Sequence, residues 1–220
     1  MRWLVLLLVV VLIAGCSQKN DGCSSLKGNE RDVCYSDKAI NASDESFCSK
    51  ISGDELRNSC IAGVGVLKND TALCNRASPM SKSYCLSSIA VVKNDLELCA
   101  SVNDTGWKDS CHNLIAFAQK DTDVCRRISS QSLRDGCIGQ LATLLNESAS
   151  CAFIFDAQIR DGCFIMVAAR LGDESICEIP TEPLAKDVCY KNVAVAVNDS
   201  AICQKISLPA VMADCKKKFS

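Results

Sequence analysis

The sequence predicts an all-α fold, a solenoid of about eight disulfide-linked αα-hairpin repeats of 25–26 residues that occupies residues 23–220. The first observation is the cysteine spacing: after Cys16, the cysteines recur at steps that alternate between 11 or 12 and 14 residues. A fixed period of this kind is typical of stacked repeats. The other two observations are the helical spacing of apolar residues inside each period and the punctuation between periods.

Each repeat contains two segments with helical periodicity. In the second segment of one repeat, Leu133, Cys137, Leu141, Leu144 and Leu145 follow helical spacing, and a similar pattern follows Cys189. We expect a first helix of about two turns and a second of about three turns. The five to eight residues between them hold the prolines, which are Pro79, Pro180, Pro183 and Pro209.

Successive repeats are separated by a pair in which Asn or Gly precedes an acidic residue. These pairs are Asn69-Asp70, Asn94-Asp95, Asn146-Glu147, Gly172-Asp173 and Asn198-Asp199. Asn and Gly tolerate the left-handed conformation that ends a helix, and Asp accepts hydrogen bonds from the free amides of the next helix. One hairpin cannot bury its apolar face alone, so we expect the repeats to stack.

The register of the hairpins predicts which cysteines pair. Cys125 and Cys137 are about equally far from a turn near residue 131, so they come level in an antiparallel hairpin. Across a junction, Cys137 and Cys151 would be offset by about 6 Å along the helix axes, which exceeds the reach of a disulfide. We therefore predict eight bonds within repeats: Cys23–Cys34, Cys48–Cys60, Cys74–Cys85, Cys99–Cys111, Cys125–Cys137, Cys151–Cys163, Cys177–Cys189 and Cys203–Cys215.

Residues 1–15 have the pattern of a secretory signal, in which Arg2 precedes an apolar run from Trp3 to Ala14. This run is shorter than the roughly 20 residues that span a bilayer. The segment Ile13-Ala14-Gly15-Cys16 resembles the lipobox of prokaryotic lipoproteins. The resemblance implies that Cys16 is lipidated and becomes the mature N-terminus, with a polar spacer that ends at residue 22. The alternative is an ordinary signal whose Cys16 joins the disulfides.

The number of cysteines favours lipidation. The chain has 17 cysteines, and an odd thiol in an exported protein needs an explanation. Without Cys16 the others can pair completely, as expected in an oxidising compartment. We predict an exported protein that a lipid anchors to the outer face of the cell membrane or envelope.

Charge and general architecture limit the partners. With 24 basic and 26 acidic residues the chain is nearly balanced, whereas nucleic-acid binding requires a basic face. The repeats loosely resemble the disulfide-rich Sel1-like and tetratricopeptide-type helical repeats. The period of 25–26 residues is shorter than theirs, so the resemblance implies a curved αα-solenoid and no activity.

The sequence does not indicate an enzyme, a cofactor or a metal site. No two cysteines lie closer than seven positions, whereas zinc and iron–sulfur sites need thiolates two to four residues apart. His112 is the single histidine and replaces an apolar residue found in other repeats, so we predict a packing role. No G-x-S-x-G or phosphate-binding glycine-rich motif occurs.

A basic residue stands three positions before the second cysteine of seven repeats. The members of this basic row are Arg31, Arg57, Lys82, Lys108, Arg134, Arg160 and Lys186. Acids follow directly at Asp32, Asp109, Asp135, Asp161 and Asp187. One interpretation is an extended polar groove for an anionic polymer or a partner chain. The favoured one is structural, with Asp at a helix N-terminus and each basic residue bonded to an acid of the neighbouring repeat.

Two further features could serve a surface role. Glycosylation sequons begin at Asn41, Asn69, Asn103, Asn146 and Asn198. Trp107 is either a contact anchor or part of the core, and we predict core, because Leu133 and Ile159 occupy the same position in other repeats.

These features predict a membrane-anchored extracytoplasmic repeat scaffold that binds a protein or polymer partner. Stacked arrays offer extended surfaces for such binding. The alternatives are a purely structural envelope component and a thiol-rich metal or redox buffer.

Overall fold

The computed structural model describes residues 22–220 and has an all-α repeat architecture. The predicted signal peptide, Cys16 and the polar spacer up to residue 21 lie outside the described residues. Residues 22–220 form helices joined by short turns, with no strand among them. None of these helices is both long enough and apolar enough to cross a membrane.

We number repeats 1–8 by their disulfides in chain order, and each repeat has one long helix. The long helices are α1 (Gly28–Ala42), α2 (Asp54–Lys68), α4 (Pro79–Lys93), α6 (Thr105–Gln119), α8 (Gln131–Leu145), α10 (Ala157–Leu171), α11 (Pro183–Val197) and α12 (Pro209–Lys217). The short α-helices are α3 (Thr71–Cys74), α5 (Leu96–Ala100), α7 (Thr122–Cys125) and α9 (Ser148–Cys151). Repeats 2, 7 and 8 have short 3-10 helices instead, at Glu45–Lys50, Glu174–Glu178 and Ser200–Lys205.

The helix lengths differ from the prediction. The first helix of repeats 3–6 is about a single turn rather than two, that of repeats 2, 7 and 8 is a 3-10 helix of five or six residues, and residues 22–27 of repeat 1 form a turn. The long helices have four turns rather than three, except α12, and loops of three to five residues precede them. The first helix ends early because the residue three positions after its cysteine turns into the core. These buried residues are Ile51, Val102, Ile128, Ile154 and Ile206.

The junctions between repeats have the predicted conformation. Asn69, Asn94, Asn146, Gly172 and Asn198 are left-handed and end the long helices. Each following Asp accepts a hydrogen bond from an N–H of the next short helix, whereas Glu147 does not cap. Two further junctions, at Ser43-Asp44 and Lys120-Asp121, lack the predicted Asn or Gly, and there Ser and Lys are left-handed.

All eight disulfides join the cysteines that the spacing predicts. Their Cα–Cα distances lie between 5.4 and 5.8 Å. Of these cysteines, all except Cys34 are buried. This number of disulfides indicates an oxidising environment outside the cytoplasm.

Packing connects each repeat to its neighbours. Each short helix lies between two consecutive long helices and contacts both. The long helices also contact one another in sequence, so they form one side of the array and the short helices form the other. Stability in such an array is a sum of local and nearest-neighbour terms.

Candidate functional site

The acidic residues two positions before the second cysteine bind the following repeat. Asp135 is fully buried, and its Oδ1 and Oδ2 accept hydrogen bonds from the N–H groups of Phe155 (3.1 Å) and Asp156 (2.9 Å). These two residues form the turn before α10. Asp32, Asp109 and Asp187 make equivalent pairs of bonds.

This arrangement corrects the predicted role of the acids, because they bind the next repeat rather than the N-terminus of their own helix. In repeat 2, Asn58 takes the position and accepts one bond, from Ser78 N–H at 2.8 Å. Asp161 is equally buried, but no hydrogen bond from the following turn reaches it within the described structure. We call the position two residues before the second cysteine of each repeat the acceptor position.

The pKa values of Asp187 and Asp32 are those of carboxylates that remain ionised. Burial raises the pKa of Asp187, but hydrogen bonds from the N–H groups of Ser207 and Leu208 outweigh it, so the pKa lies below its ordinary value. For Asp32 burial likewise raises the pKa, and bonds from Arg31 and from the N–H groups of the next turn bring it below the ordinary value.

The basic row binds within its own repeat, which differs from the predicted bonds to a neighbouring acid. Arg57 donates from Nε to Ile51 O (2.9 Å) and from Nη2 to Ser52 O (2.9 Å), and Arg134 donates to Ile128 O (2.9 Å). Lys186 pairs with Glu178 of its own repeat. Arg31 bonds Asp32 and also reaches the Ser52 hydroxyl of repeat 2. Lys82, Lys108 and Arg160 form no ion pair within residues 22–220.

These bonds favour a structural role for the basic row. Arg57 and Arg134 close the turns of their own repeats, and the acids of the row, Asp32, Asp109, Asp135, Asp161 and Asp187, are buried. The row therefore does not present a continuous cationic groove.

A polar cleft of about 500 Å³ lies between repeats 7 and 8. The Tyr190 hydroxyl donates to Glu178, which also binds Lys186. Burial, followed by the bond to Glu178, raises the pKa of Tyr190 to about 12. Lys205 Nζ lies 5.8 Å from the centroid of the Tyr190 ring, a distance at which a cation is attracted to an aromatic face. Glu178, Lys186, Tyr190 and Lys205 therefore bond to or contact one another inside the cleft.

His112 is buried between repeats 4 and 5, in agreement with a packing position. It is 3% exposed, and neither ring nitrogen has a hydrogen-bond partner. Burial lowers its pKa and so does the nearby Arg127, while Asp109 partly opposes them. A buried polar ring without partners destabilises the folded state.

We expect the His112→Leu substitution to raise the free energy of unfolding by about 1 kcal/mol near neutral pH, because it removes unpaired polar atoms from the core. The substitution should also remove part of the decrease in the free energy of unfolding at acidic pH. In the parent protein the unfolded chain binds a proton near the ordinary pKa of about 6.5, before the folded chain does. The free energy of unfolding therefore falls as pH decreases from that value towards the lower folded pKa.

Urea denaturation followed by circular dichroism, at about pH 7.5 and about pH 5.5, measures this effect on either side of the ordinary histidine pKa. Phe164→Leu changes the equivalent position in repeat 6 and should leave the pH dependence unaltered. An identical pH dependence for parent and His112→Leu would refute the expected role of this group.

The outward side of the central long helices carries large exposed apolar residues. We call this surface, on α4, α6, α8 and α10, the apolar face. Its exposed apolar members are Tyr84, Val92, Trp107, Leu114, Leu133, Leu144, Ile159 and Met166. They stand four or one positions before the second cysteine, or three or seven after it, and this spacing places them on one side of each helix.

Shallow grooves run between these helices at equivalent positions. The groove between α4 and α6 has a volume of about 220 Å³ and is bordered by Ser88, Ser110 and Leu114. The groove between α8 and α10 has a volume of about 420 Å³ and is bordered by Gly139, Gly162 and other residues. Small residues on the helices form the floor, while the large apolar residues form ridges beside it.

The apolar face has almost no charge. The outward positions of each long helix are 5, 4 and 1 residues before the second cysteine of its repeat and 2, 3, 6 and 7 residues after it. On α4, α6 and α8 these positions hold no Asp, Glu, Lys or Arg, and on α10 they hold one charged residue, Arg170. The corresponding positions on α1 include Glu30 and Asp37, and those of repeat 8 include Asp214, Lys217 and Lys218. Asp214 pairs with Lys191 (3.0 Å). The uncharged surface is therefore central, with two acids in repeat 1 and, in repeat 8, two lysines that form no ion pair within the described chain.

The prediction for Trp107 was wrong, because this residue lies on the apolar face rather than in the core. It is 36% exposed, and its ring packs edge-on against Tyr84 with a centroid distance of 5.3 Å. Leu133 and Ile159, which occupy the same position, are also exposed. The sequon residues Asn41, Asn69, Asn103, Asn146 and Asn198 are all exposed, and three of them end long helices.

Comparisons with known proteins found no match: no family model, no curated protein and no solved structure matches this chain. Across residues 22–220, no group of three or more His, Cys, Asp or Glu side chains is arranged to hold a metal ion. The apolar face is therefore the candidate site on which a functional proposal is built.

Proposed function

We propose that this protein is a lipid-anchored scaffold on the outer side of a membrane, where its repeats present the apolar face to a binding partner. The observation that carries the proposal is the uncharged central surface with exposed Trp107, Leu114, Leu144 and Met166. Exposed apolar surface of this extent is unfavourable in water and marks interaction sites. Interfaces are also depleted in charge and enriched in aromatic residues and Met.

The same surface favours a protein partner over a charged polymer. Apolar ridges bind other apolar groups by removing both from water, whereas an anionic polymer needs unpaired basic residues. Arg57 and Arg134 of the basic row already bond carbonyl groups of their own turns, and Arg31 pairs with Asp32. A purely structural envelope component would need no such apolar face. A thiol buffer would need free thiols, and the sixteen cysteines of the repeats are paired.

Lipid anchoring is supported by Cys16, the cysteine outside the eight repeats. With the cysteines of the eight repeats in disulfides, Cys16 has no partner among them, and it directly follows the lipobox-like Ile13-Ala14-Gly15. A thioether-linked lipid on Cys16 would explain both observations. The proposal assigns no catalytic role to any residue.

We expect the mature protein, purified from its own membrane, to begin at Cys16 and to carry additional lipid mass there. The Cys16→Ser variant should accumulate as the uncleaved 220-residue chain, because the processing step depends on that thiol. Intact-mass spectrometry with N-terminal peptide mapping measures both. A Cys23→Ser, Cys34→Ser variant removes a disulfide near the N-terminus and should still be processed. A mature chain with an unmodified Cys16 would refute the anchor.

Partner binding is tested with a photo-crosslinking amino acid at Leu144 on the apolar face, in cells that express the full chain. The same group at Glu97, on the short-helix side, is the control. We expect a crosslinked product from position 144 and none from position 97. Equal products from both positions, or none from either, would contradict the proposed binding face.

A further inference from the structure

We propose that the partner of the apolar face is a second copy of this chain, and that two copies pair face to face and antiparallel about a two-fold axis near the boundary between repeats 4 and 5. This inference rests on the proposed function and names its partner. Three properties of the surface support it: its symmetrical charge pattern, its periodic shape and its size.

The charge pattern favours pairing with itself in one orientation. The helices α4, α6, α8 and α10, which form the apolar face, belong to repeats 3–6 at the centre of the eight-repeat array. A two-fold axis between α6 and α8 places their outward sides opposite one another, and the single charge there is Arg170, which donates a hydrogen bond to Asn146 Oδ1. It also places repeat 1, with exposed Glu30 and Asp37, opposite repeat 8, with exposed Lys217 and Lys218. A parallel pairing would bring like charges together.

Repeat 2 would lie opposite repeat 7, where Lys191 is already paired with Asp214 of repeat 8 (3.0 Å). The complementary charges are therefore those of repeats 1 and 8. Complementary charges at the rim fix the orientation of an interface and suppress the wrong one. An uncharged centre lets two copies meet without burying unpaired charge.

The shape of the surface also suits a second copy. Ridges such as Trp107 and Leu114 on α6 stand beside the groove between α4 and α6. Because both copies have the same helix spacing, a two-fold axis between α6 and α8 places this groove opposite the groove between α8 and α10, and the ridges beside the two grooves meet at each successive helix. The glycines Gly136, Gly139 and Gly162 leave room in the groove between α8 and α10.

The size of the surface is sufficient. A helix of 15 residues is about 22 Å long, and four helices at spacings of about 9 Å span about 35 Å. The uncharged area is therefore roughly 800 Å², which equals the area that each partner buries in a standard stable interface. Its apolar residues include an aromatic pair, Tyr84 and Trp107, of the type that dominates binding energy in such interfaces.

The first test is the mass of the crosslinked product from position 144. If the product contains two copies of this chain and nothing else, the proposal is supported. If it contains a different protein, the dimer is refuted while partner binding by the apolar face stands. If no product forms, both are refuted.

The second test measures the dimer dissociation constant of the purified full chain in detergent by sedimentation velocity. We expect Leu144→Lys to weaken dimerisation by at least about a hundredfold, because it buries an unpaired charge in the interface. Phe155→Lys is the matched control, since Phe155 is an exposed apolar residue in a turn outside the apolar face. Circular dichroism verifies that both variants are folded. Equal dissociation constants for both variants, or a monomeric parent, would overturn the proposal.

The orientation is tested by charge reversal at the ends of the array. Asp37→Lys alone and Lys218→Asp alone should each weaken the dimer by about tenfold, a magnitude within the range for close charge pairs across an interface. The double variant Asp37→Lys, Lys218→Asp should recover the affinity of the parent. Neither residue makes an ion pair in the described part of the chain, so folding should not change. Failure of the double variant to recover would refute the antiparallel pairing.

Discussion

Removal of the central disulfide by the Cys125→Ala, Cys137→Ala double substitution is expected to lower the free energy of unfolding by about 3 kcal/mol. The bond closes a loop of 12 residues, and without it the unfolded chain gains the freedom that the loop removes. The short helix α7 has four residues, far below the length at which a helix persists alone. We therefore expect α7 to lose its position against α8.

The effect on the unfolding transition should depend on which repeat of the array loses its disulfide. Repeat 5 contacts repeats on both sides, so its loss weakens two interfaces, and unfolding should separate into two transitions. Removing Cys203 and Cys215 instead affects the last repeat, whose helix α12 has nine residues. That variant should lose the signal of about one repeat while the rest unfolds as in the parent, because each repeat interacts chiefly with its neighbours.

Urea denaturation followed by far-ultraviolet circular dichroism distinguishes these outcomes. The reduced parent, with all disulfides open, provides the lower limit of stability. If the central and terminal double variants lose the same free energy through a single shared transition, the nearest-neighbour account of this array is wrong.

Regular features of the fold could be predicted because each is local in sequence. The pairing of Cys125 with Cys137 follows from the turn between them, and the Asn-Asp junctions follow from the conformations that these residues favour. The length of the first helix was not predictable in the same way. It depends on residues such as Ile128, whose burial in the core ends the helix, and an apolar residue at that spacing is equally compatible with a longer helix.

The candidate site was harder to predict for a different reason. Trp107, Leu133 and Ile159 share a repeat position and are apolar, which is the usual pattern of a core. The helix has two apolar sides, and sequence spacing alone cannot say which one meets the short helices. The role of Asp135 was missed because its partners, Phe155 and Asp156, lie in the next repeat. The signal that could have revealed it is the recurrence of an acid beside a buried cysteine, where a charge needs bonding partners.

We expect the Asp135→Ala substitution to lower the free energy of unfolding by about 3 kcal/mol, because hydrogen bonds to a buried carboxylate contribute about 1.5–3 kcal/mol and both N–H groups lose their acceptor. The carboxylate is completely buried, so water cannot easily replace it. Asp135→Asn retains one acceptor oxygen, as Asn58 does naturally in repeat 2. Its loss should therefore be intermediate.

Asp161 provides the matched control for this prediction. It occupies the acceptor position of repeat 6 and is similarly buried, at 6% exposure, but no bond from the following turn reaches it in the described structure. Asp161→Ala should therefore cost less than about 1 kcal/mol, a typical value for a side chain without such bonds. Equal losses for the two alanine variants would show that the cost arises from the helix that carries the acid and not from the bonds between repeats.

Hydrogen exchange identifies where the stability is lost. If Asp135 acts on the following repeat, Asp135→Ala should accelerate exchange of the Phe155 and Asp156 amides, which are 20 and 21 residues downstream, more than that of amides in its own helix α8. The opposite order would mean that Asp135 stabilises α8 itself. The first outcome would establish the acceptor position as a link between repeats, so that the same aspartates and the disulfides together hold the long helices, and the apolar face that they form, in a fixed order.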